Sequence, residues 1–119
     1  MPNANKQKGD RWELSLVHLI KEWFPDVARR KAGWAQDMGD LSGIPNLCVE
    51  CKDTATSAIG SSMDKALVSW ENTKQQYMVM FQKRRGKPVE DGYAVMPISN
   101  WLELYKRVTE LEGKIEIDT

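Results

Sequence analysis

Near the start of the chain, apolar residues recur at intervals of three and four, which is the spacing of one face of an α-helix. Asp10 and Glu13 have the spacing of an N-cap and its capping-box partner, so the sequence predicts that this helix begins at Asp10. Pro25 cannot continue a helix, and the predicted helix therefore ends just after Phe24. Residues 1–8 are polar and lack periodicity, which predicts a flexible N-terminal arm. The predicted apolar face contains Trp12, Leu16, Leu19, Ile20 and Trp23.

After this helix, short apolar runs alternate with Gly, Asp, Ser and Pro, a pattern that is typical of strands joined by turns. Residues 27–30 and 47–52 are predicted strands. The apolar run at residues 77–81 fits either a helix or a strand. We favour a strand, because residues 82–87 then form the tip of a β-hairpin that returns through residues 92–96.

Two more helices are predicted further along the chain. After a loop of small residues predicted over residues 53–62, Ser61 and Asp64 are expected to cap the second helix. Ser99 or Asn100 is expected to cap the third helix, which Gly113 closes. The apolar faces contain Met63, Ala66, Leu67 and Trp70 in the second helix, and Trp101, Leu102, Tyr105 and Val108 in the third.

The order of the elements is helix, three strands, helix, hairpin and helix, which predicts a mixed α/β fold with a central β-sheet flanked by helices. A chain of 119 residues has room for one domain, predicted over residues 9–119. Its apolar stretches are too short to span a membrane, and no hydrophobic segment follows the first charged residues. We therefore expect a soluble, cytoplasmic protein with no membrane partner.

The balance of charge says little about partners, because 17 Lys and Arg residues offset 17 Asp and Glu residues. The distribution of charge is more informative, since basic residues gather in three clusters. Such clusters either present one positive face to a polyanion or are ordinary solvated surface. The clusters are Lys6, Lys8 and Arg11; Arg29, Arg30 and Lys31; and Lys83, Arg84, Arg85 and Lys87.

The predicted strand at residues 47–52 carries the chemistry, because alternate residues of a strand share a face. Glu50 and Lys52 lie on one face, where they present a carboxylate and an amine about 7 Å apart. Asp40 leads into the neighbouring strand, so its carboxylate can converge with that of Glu50. Cys48 and Cys51 point to opposite faces and are expected to remain reduced.

A pair of carboxylates suits a hard divalent cation, and we expect magnesium with several retained waters, with manganese as the alternative. Bound to a scissile phosphate, such a cation polarises the phosphoryl oxygen and supplies a hydroxide-like nucleophile. Lys52 would orient that water or stabilise the charge that develops. The predicted reaction is phosphodiester hydrolysis.

Glu13 is a third candidate, because it lies within the apolar arc of the first helix and a carboxylate aimed at the sheet needs a partner. A metal ion held by Asp40 and Glu50, or a water on that metal, would serve as the partner. Simple capping of the helix is the alternative role. His18 falls on the polar side of the helix and receives no catalytic role.

The sequence at these positions resembles a known superfamily. Gly39-Asp40, nine further residues and then Glu50-Cys51-Lys52, preceded by a helical Glu13, look like the PD-(D/E)XK nucleases in the form found in archaeal-type and phage-encoded Holliday junction resolvases. The proline of the superfamily's name is absent, since Gly39 stands in its place. Asp37 is a rival for the role of the aspartate.

The resemblance extends beyond the site, to residues 8–13, 83–97 and 101–104, and covers most of residues 8–105. It implies a restriction-endonuclease-like fold and a magnesium-dependent endonuclease that cuts four-way DNA junctions as a homodimer. A dimer is also favoured if five Trp and six Met exceed what one small core can hide; burial of all of them in the monomer is the alternative.

The resemblance also implies roles for individual residues. Glu13, Asp40 and Glu50 would hold the metal, Lys52 would act on the attacking water, and Gln75 or Gln76 resembles a glutamine that some members place near the site. The basic residues would contact DNA phosphates, which positions DNA without reading its sequence. These DNA contacts are Arg29, Arg30, Lys83, Arg84, Arg85 and Lys87.

Two other functions remain open at this stage. The same site would serve a nicking, flap or exonuclease activity in place of junction resolution. In a non-catalytic DNA-binding module, Glu50 and Lys52 would form an ordinary ion pair on one strand face.

Overall fold

The computed structural model describes residues 4–30 and 39–118, with side chains described over residues 6–30 and 39–114. Within these ranges, five strands form one sheet in the order β1-β2-β3-β4-β5, and three helices flank it. The predicted mixed α/β fold is confirmed. The helices are α1 (Ala4–Ile20), α2 (Ile59–Thr73) and α3 (Ile98–Asp118), and the strands are β1 (Ala28–Arg29), β2 (Leu41–Ser42), β3 (Leu47–Lys52), β4 (Tyr77–Gln82) and β5 (Tyr93–Val95).

The centre of the sheet is the parallel pair β3 and β4, whose register runs from Leu47 opposite Tyr77 to Lys52 opposite Gln82. The other neighbouring strands pair antiparallel. Parallel strands need a long crossover connection, and α2 supplies it. Residues 77–81 therefore form a strand, as predicted, and β3 has the bounds that the sequence pattern indicates.

The core lies on both faces of this central pair. Strand alternation sends Val49 and Val79 towards α1, and Cys48 and Met78 towards α2, so each face of the sheet is covered by one helix. The α2 face also confirms the predicted inward side of that helix: Met63, Ala66, Leu67 and Trp70 pack there. Both cysteines are free, as expected. The buried residues on the α1 side are Trp12, Leu16, Ile20, Val27, Leu41, Val49 and Val79.

The boundaries of α1 differ from the prediction at both ends. The helix begins at Ala4, six residues before Asp10, so residues 4–8 are helical and not part of an arm. Ala, Lys and Gln are good helix formers, and Asp10 is engaged by Arg29 instead of capping the helix. At the other end the helix stops at Ile20, where Trp23 and Phe24 both donate backbone hydrogen bonds to the Ile20 carbonyl. Trp23 is consequently 74% exposed and lies outside the core.

The start of α2 also corrects the prediction. The small-residue loop predicted over residues 53–62 ends earlier, in a 3₁₀ turn at Thr56–Ala58, and α2 begins at Ile59. The Ser61 hydroxyl donates to the Ala58 carbonyl at 3.1 Å, a contact between the first turn of α2 and the preceding 3₁₀ turn, so Ser61 lies inside the helix and does not form the expected capping box.

Helix α3 differs most from what the sequence predicts. It begins at Ile98 and runs through Gly113, because an interior glycine weakens a helix by only about 1 kcal/mol and does not break it. Asn100 does not cap the helix; its buried side chain accepts a hydrogen bond from the Met78 amide at 2.8 Å. The predicted apolar face points to solvent: Trp101, Leu102, Tyr105 and Val108 are 50%, 55%, 54% and 39% exposed.

Strands β4 and β5 form the predicted hairpin, with Met80 opposite Val95 and Gln82 opposite Tyr93. Gly86 in its tip has φ +74°, a conformation that favours glycine. The return includes a 3₁₀ turn at Val89–Asp91, which the sequence pattern did not indicate. Across the described ranges, no helix combines the length and the apolar content that crossing a membrane requires.

Candidate active site

Asp40 stands where the chain enters β2, and β3 fixes its position. Its backbone amide donates to the Val49 carbonyl at 2.8 Å, and its Oδ2 accepts the Cys51 amide at 2.7 Å. These two contacts lie on either side of Glu50. Because Leu41 pairs antiparallel with Val49, the next step of the register places Asp40 opposite Glu50. The predicted approach of the two residues is therefore built into the hairpin.

Gly39 explains why this chain lacks a proline before the aspartate. Its φ is +91°, and a Cβ at this position would lie 3.0 Å from the Val49 carbonyl oxygen. Proline is restricted to φ near −65°, so it cannot adopt this backbone conformation. The turn that delivers Asp40 to β3 thus requires glycine.

Glu50 and Lys52 lie on the same face of β3, as predicted, and differ in burial. Glu50 is only 6% exposed, while Lys52 is half-buried at the end of the strand. The parallel register places Lys52 opposite Gln82, a residue that is fully buried. Gln82 was missed by sequence reasoning, although a polar residue ending the apolar run of β4 was a visible signal.

Glu13 reaches the same region from α1, and its immediate partner is an arginine. Arg29 Nε donates to Glu13 Oε2 at 2.8 Å, and Arg29 Nη2 donates to Asp10 Oδ1 at 2.6 Å. Burial raises the pKa of the Glu13 carboxyl, and the nearby charge of Asp40 raises it further, while the hydrogen bond from Arg29 acts in the opposite direction. Glu13 therefore lies close to Asp40, with Arg29 offsetting part of the negative charge.

The thiol of Cys51 is influenced by several of the acidic residues. Burial raises the pKa of its thiol, and the charges of Asp40, Glu13 and Glu50 raise it further. The three carboxylates that the sequence singles out thus act on this thiol from α1, from the start of β2 and from β3, although strand alternation puts Glu50 and Cys51 on opposite faces of β3. The neighbouring residue along the strand is Lys52. This arrangement concentrates negative charge beside one amine.

The acidic residues are hard oxygen donors, but they are not closed around one point. Among the described residues, no group of three or more His, Cys, Asp or Glu side chains has the spacing of a metal site. Asp37, the rival aspartate, lies outside the described residues. Gln75 and Gln76 lie at the opposite end of β4 from Gln82, and Gln76 contacts Glu103 and Arg107 of α3.

The basic residues divide into two groups with different surroundings. Arg29 is bound by Asp10 and Glu13, and the Arg30 amide donates to the Asp40 carbonyl at 2.9 Å, so this pair belongs to the acidic site. In the second group, at the hairpin tip, Arg85 is exposed. Lys83, Arg84, Arg85 and Lys87 line one groove together with Thr54, Ala55, Thr56 and Tyr93.

Sequence reasoning missed the acidic partner of that second group. The Asp53 side chain is 2% exposed, with Oδ1 3.7 Å from Lys8 Nζ and Oδ2 3.8 Å from Lys83 Nζ. Asp53 directly follows β3, and its lysine partners come from α1 and from the residue after β4, so no periodic pattern in the sequence indicates these contacts.

The chain matches no protein-family model, no curated protein and no solved structure.

Proposed function

We propose that this chain is a metal-dependent nuclease that hydrolyses DNA phosphodiester bonds, with four-way junctions as its substrate. The observation that carries the proposal is the position of Asp40 opposite Glu50 in the β2–β3 hairpin, with Lys52 on the same face of β3 as Glu50 and with Glu13 near Asp40. Neighbouring carboxylates raise one another's energy unless a cation offsets them, and Arg29 does so for Glu13. A site of this kind suits phosphoryl transfer better than it suits structural stability.

The donor set fits magnesium or manganese in its chemistry, since both ions prefer carboxylate oxygens and magnesium commonly takes only one or two carboxylates along with water and phosphate. Asp40 and Glu50 would be those two, because the hairpin places them opposite each other. When bound, the ion would polarise the scissile phosphate and lower the pKa of a water. Glu13 would contribute from α1 while Arg29 holds its carboxylate.

The remaining steps fall to side chains of this chain. Lys52, half-buried at the end of β3, would orient the attacking water and donate to the oxygen on which charge develops. The hydrogen bond from the Cys51 amide holds one oxygen of Asp40, so the direction of the other oxygen is fixed by the backbone. The basic hairpin tip would bind phosphates outside the site.

The test is cleavage of a labelled synthetic four-way junction, with magnesium and with a chelator, by the wild type and by Glu50→Gln and Asp40→Asn. Both variants should lose cleavage and retain junction affinity, because each removes a carboxylate without touching the basic groove. Glu71→Gln, the same type of change at an exposed position of α2, is the matched control. Full activity in Glu50→Gln would exclude this site.

The same assay separates the substrates. Preference for the junction over a linear duplex and a flap supports resolution. Equal cutting of the linear duplex would indicate a nuclease without junction selectivity. If the wild type shows no magnesium-dependent cutting, the chain is a DNA-binding module.

We also propose that the working form is a homodimer in which α3 packs against α3 of a second copy. Ile98, Trp101, Leu102, Tyr105 and Leu111 are each at least 50% exposed along one helix. Large apolar patches of this kind mark interaction sites. A 21-residue helix extends about 31 Å. The apolar surface continues into Ile59, Val95 and Met96 beside the start of α3, towards the roughly 800 Å² per partner that a stable interface uses.

A second copy fits this surface, because a two-fold axis places the same apolar stripe on both sides and pairs two active centres, as symmetric junction cleavage requires. Analytical ultracentrifugation should give twice the 13.6 kDa chain mass for the wild type and the chain mass for the double variant Leu102→Glu, Tyr105→Glu. Val68→Glu, at an exposed apolar position of α2, should stay dimeric. A monomeric wild type at all concentrations would refute the dimer.

A further inference from the structure

A groove separate from the acidic site runs between the loop after β3 and the β4–β5 hairpin. One wall is the segment Thr54–Thr56, and the other contains the hairpin tip and Tyr93, around a volume of about 360 Å³. Four basic side chains, two threonine hydroxyls and one aromatic ring line it. Among the residues that the structure describes, no acidic one lines the groove, so its chemistry suits an extended polyanion.

Buried side chains hold both walls in place. Gln82 is fully buried, and its Nε2 donates to the Thr54 carbonyl at 2.5 Å and to the Lys83 carbonyl at 3.2 Å, which ties the loop to the hairpin. Beneath the groove, the buried carboxylate of Asp53 lies 3.8 Å from Lys83 Nζ. The Lys83 side chain is still 36% exposed, so the contact with Asp53 leaves part of it accessible. A wall fixed before binding reduces the entropy lost on binding.

An arginine and a tyrosine form a stacking surface at the end of the groove. The Arg84 guanidinium carbon lies 4.9 Å from the centre of the Tyr93 ring, and Arg84 Nη1 donates to the Asp91 carbonyl at 3.3 Å. Tyr93 is 44% exposed on β5, an edge strand. Nucleobases stack on aromatic rings and on arginine planes. Exposed in this way, the Arg84–Tyr93 pair can take a flat ring as a further layer.

We propose that this groove binds single-stranded DNA, with phosphates on Lys83, Arg85 and Lys87 and one unpaired base stacked against the Arg84–Tyr93 pair. Basic grooves combined with aromatic stacking are the means by which proteins bind single strands without sequence preference. A duplex hides the faces of its bases within the stack, so the stacking surface would add nothing to duplex binding. The choice of DNA over RNA rests on the proposed nuclease function; the binding mode does not.

The size of the groove supports one nucleotide at the stacking position. Its volume of about 360 Å³ lies at the lower end of the range of roughly 300–1,000 Å³ for sites that hold a small organic ligand. The phosphates on either side of that nucleotide would then lie over the basic tip. The site would recognise DNA in which a base has left the helix, such as a branch point or a strand end.

The experiment measures binding of a labelled 12-nucleotide oligothymidylate and of a duplex of equal length to the full chain in the presence of a chelator, so that cleavage plays no part. Tyr93→Leu should weaken single-strand binding roughly ten-fold and leave duplex binding unchanged, since stacking contributes only to the former. Tyr93→Trp should restore it. Arg84→Ala should weaken single-strand binding more than Arg85→Ala, because Arg84 contributes stacking as well as charge.

Trp23→Leu is the matched control for Tyr93→Leu, because it removes an exposed aromatic side chain far from the groove and should leave both affinities unchanged. A 2-aminopurine base in the oligonucleotide gives a second readout: stacking quenches its fluorescence, and the quench should be lost in Tyr93→Leu. A wild type that binds duplex but not single strands would overturn this inference and leave the nuclease proposal intact. Unchanged single-strand affinity and quenching in Tyr93→Leu would also overturn it. A wild type that binds single strands but does not cleave DNA with magnesium would count against the nuclease proposal alone.

Discussion

Helices α1 and α3 carry similar apolar stripes but present them to different surroundings. On α1, Trp12, Leu16 and Ile20 are at most 8% exposed and pack on the sheet. On α3, Trp101 and Tyr105 stack on each other with 5.2 Å between ring centres and remain half-exposed. The first helix is held by the hydrophobic effect, whereas the second is held by other means and keeps its apolar area available.

Hydrogen bonds attach α3 to the domain. Asn100 accepts the Met78 amide, and Arg107 Nη1 donates to Gln76 Oε1 at 3.0 Å and to the Tyr77 hydroxyl at 3.5 Å. A groove of about 480 Å³ is lined by α3 on one side and by Asn46 and Tyr77 on the other, so packing there is loose. Because polar contacts hold α3 on the domain, its apolar face stays exposed and available to a partner.

The largest effect that separates the two helices is expected from Leu16→Ala on α1. Leu16 is 4% exposed within the main core, so the change leaves a cavity and should lower the free energy of unfolding by about 2–5 kcal/mol. Leu14→Ala, on the same helix at a 47% exposed position, should change it by less than about 0.5 kcal/mol. Urea denaturation measures both. Equal losses would mean that α1 is not held by its buried stripe.

Asn100→Ala tests the corresponding anchor of α3. The change leaves the buried Met78 amide without its acceptor and should lower the free energy of unfolding by about 1–3 kcal/mol. Ser99→Ala, at the neighbouring exposed position, should be close to neutral. Thermal unfolding of both variants provides the measurement. A neutral Asn100→Ala would show that the apolar side of α3, and not this hydrogen bond, fixes the helix.

A smaller effect on the folded chain is expected from Leu102→Asp on α3. Because Leu102 is 55% exposed, the intrinsic free energy of unfolding should change by less than about 0.5 kcal/mol. In a dimer held by α3, however, the melting temperature of the wild type rises with protein concentration, and this dependence should disappear in the variant. Val68→Asp should keep the dependence. A large loss of stability at low concentration would mean that Leu102 is buried within the monomer.

These two helices also show what periodicity can and cannot predict. The spacing of apolar residues correctly identifies the stripe of α3, but it does not say whether the domain or a partner covers that stripe. Asn100 decides which side of α3 faces the domain, because it accepts a hydrogen bond from an amide 22 residues away in β4. Similarly, the start of α1 was placed too late, because Asp10 and Glu13 fit a capping box and their contact with Arg29 lies outside any local pattern.

The candidate site divides in the same way. Strand alternation placed Glu50 and Lys52 on one face of β3, and the bounds of β3 confirm this local inference. The pairing of Asp40 with β3 followed from turn residues between two short strands. Contacts between distant segments were not accessible: Asp53 meets Lys8 and Lys83, and neither contact leaves a spacing in the sequence. The sequence therefore predicts the strand face on which a residue lies, while the residue's contact partners depend on the assembled sheet.

The smallest effect is expected from Glu13→Gln. This variant tests the charged group that α1 directs towards the sheet, whereas the corresponding polar group of α3 is the neutral Asn100. Burial and the charge of Asp40 raise the Glu13 pKa above its ordinary value of 4.5. As pH rises from 4.5 through the folded-state pKa, the native chain holds this proton longer than the unfolded chain does, so the free energy of unfolding falls. The variant lacks this fall. The free energy of unfolding of the variant minus that of the wild type should thus increase with pH over this window and then level off. Glu22→Gln, at an exposed position, corrects for the substitution itself. The opposite slope would mean that the hydrogen bond and charge of Arg29 outweigh burial and the charge of Asp40 at Glu13.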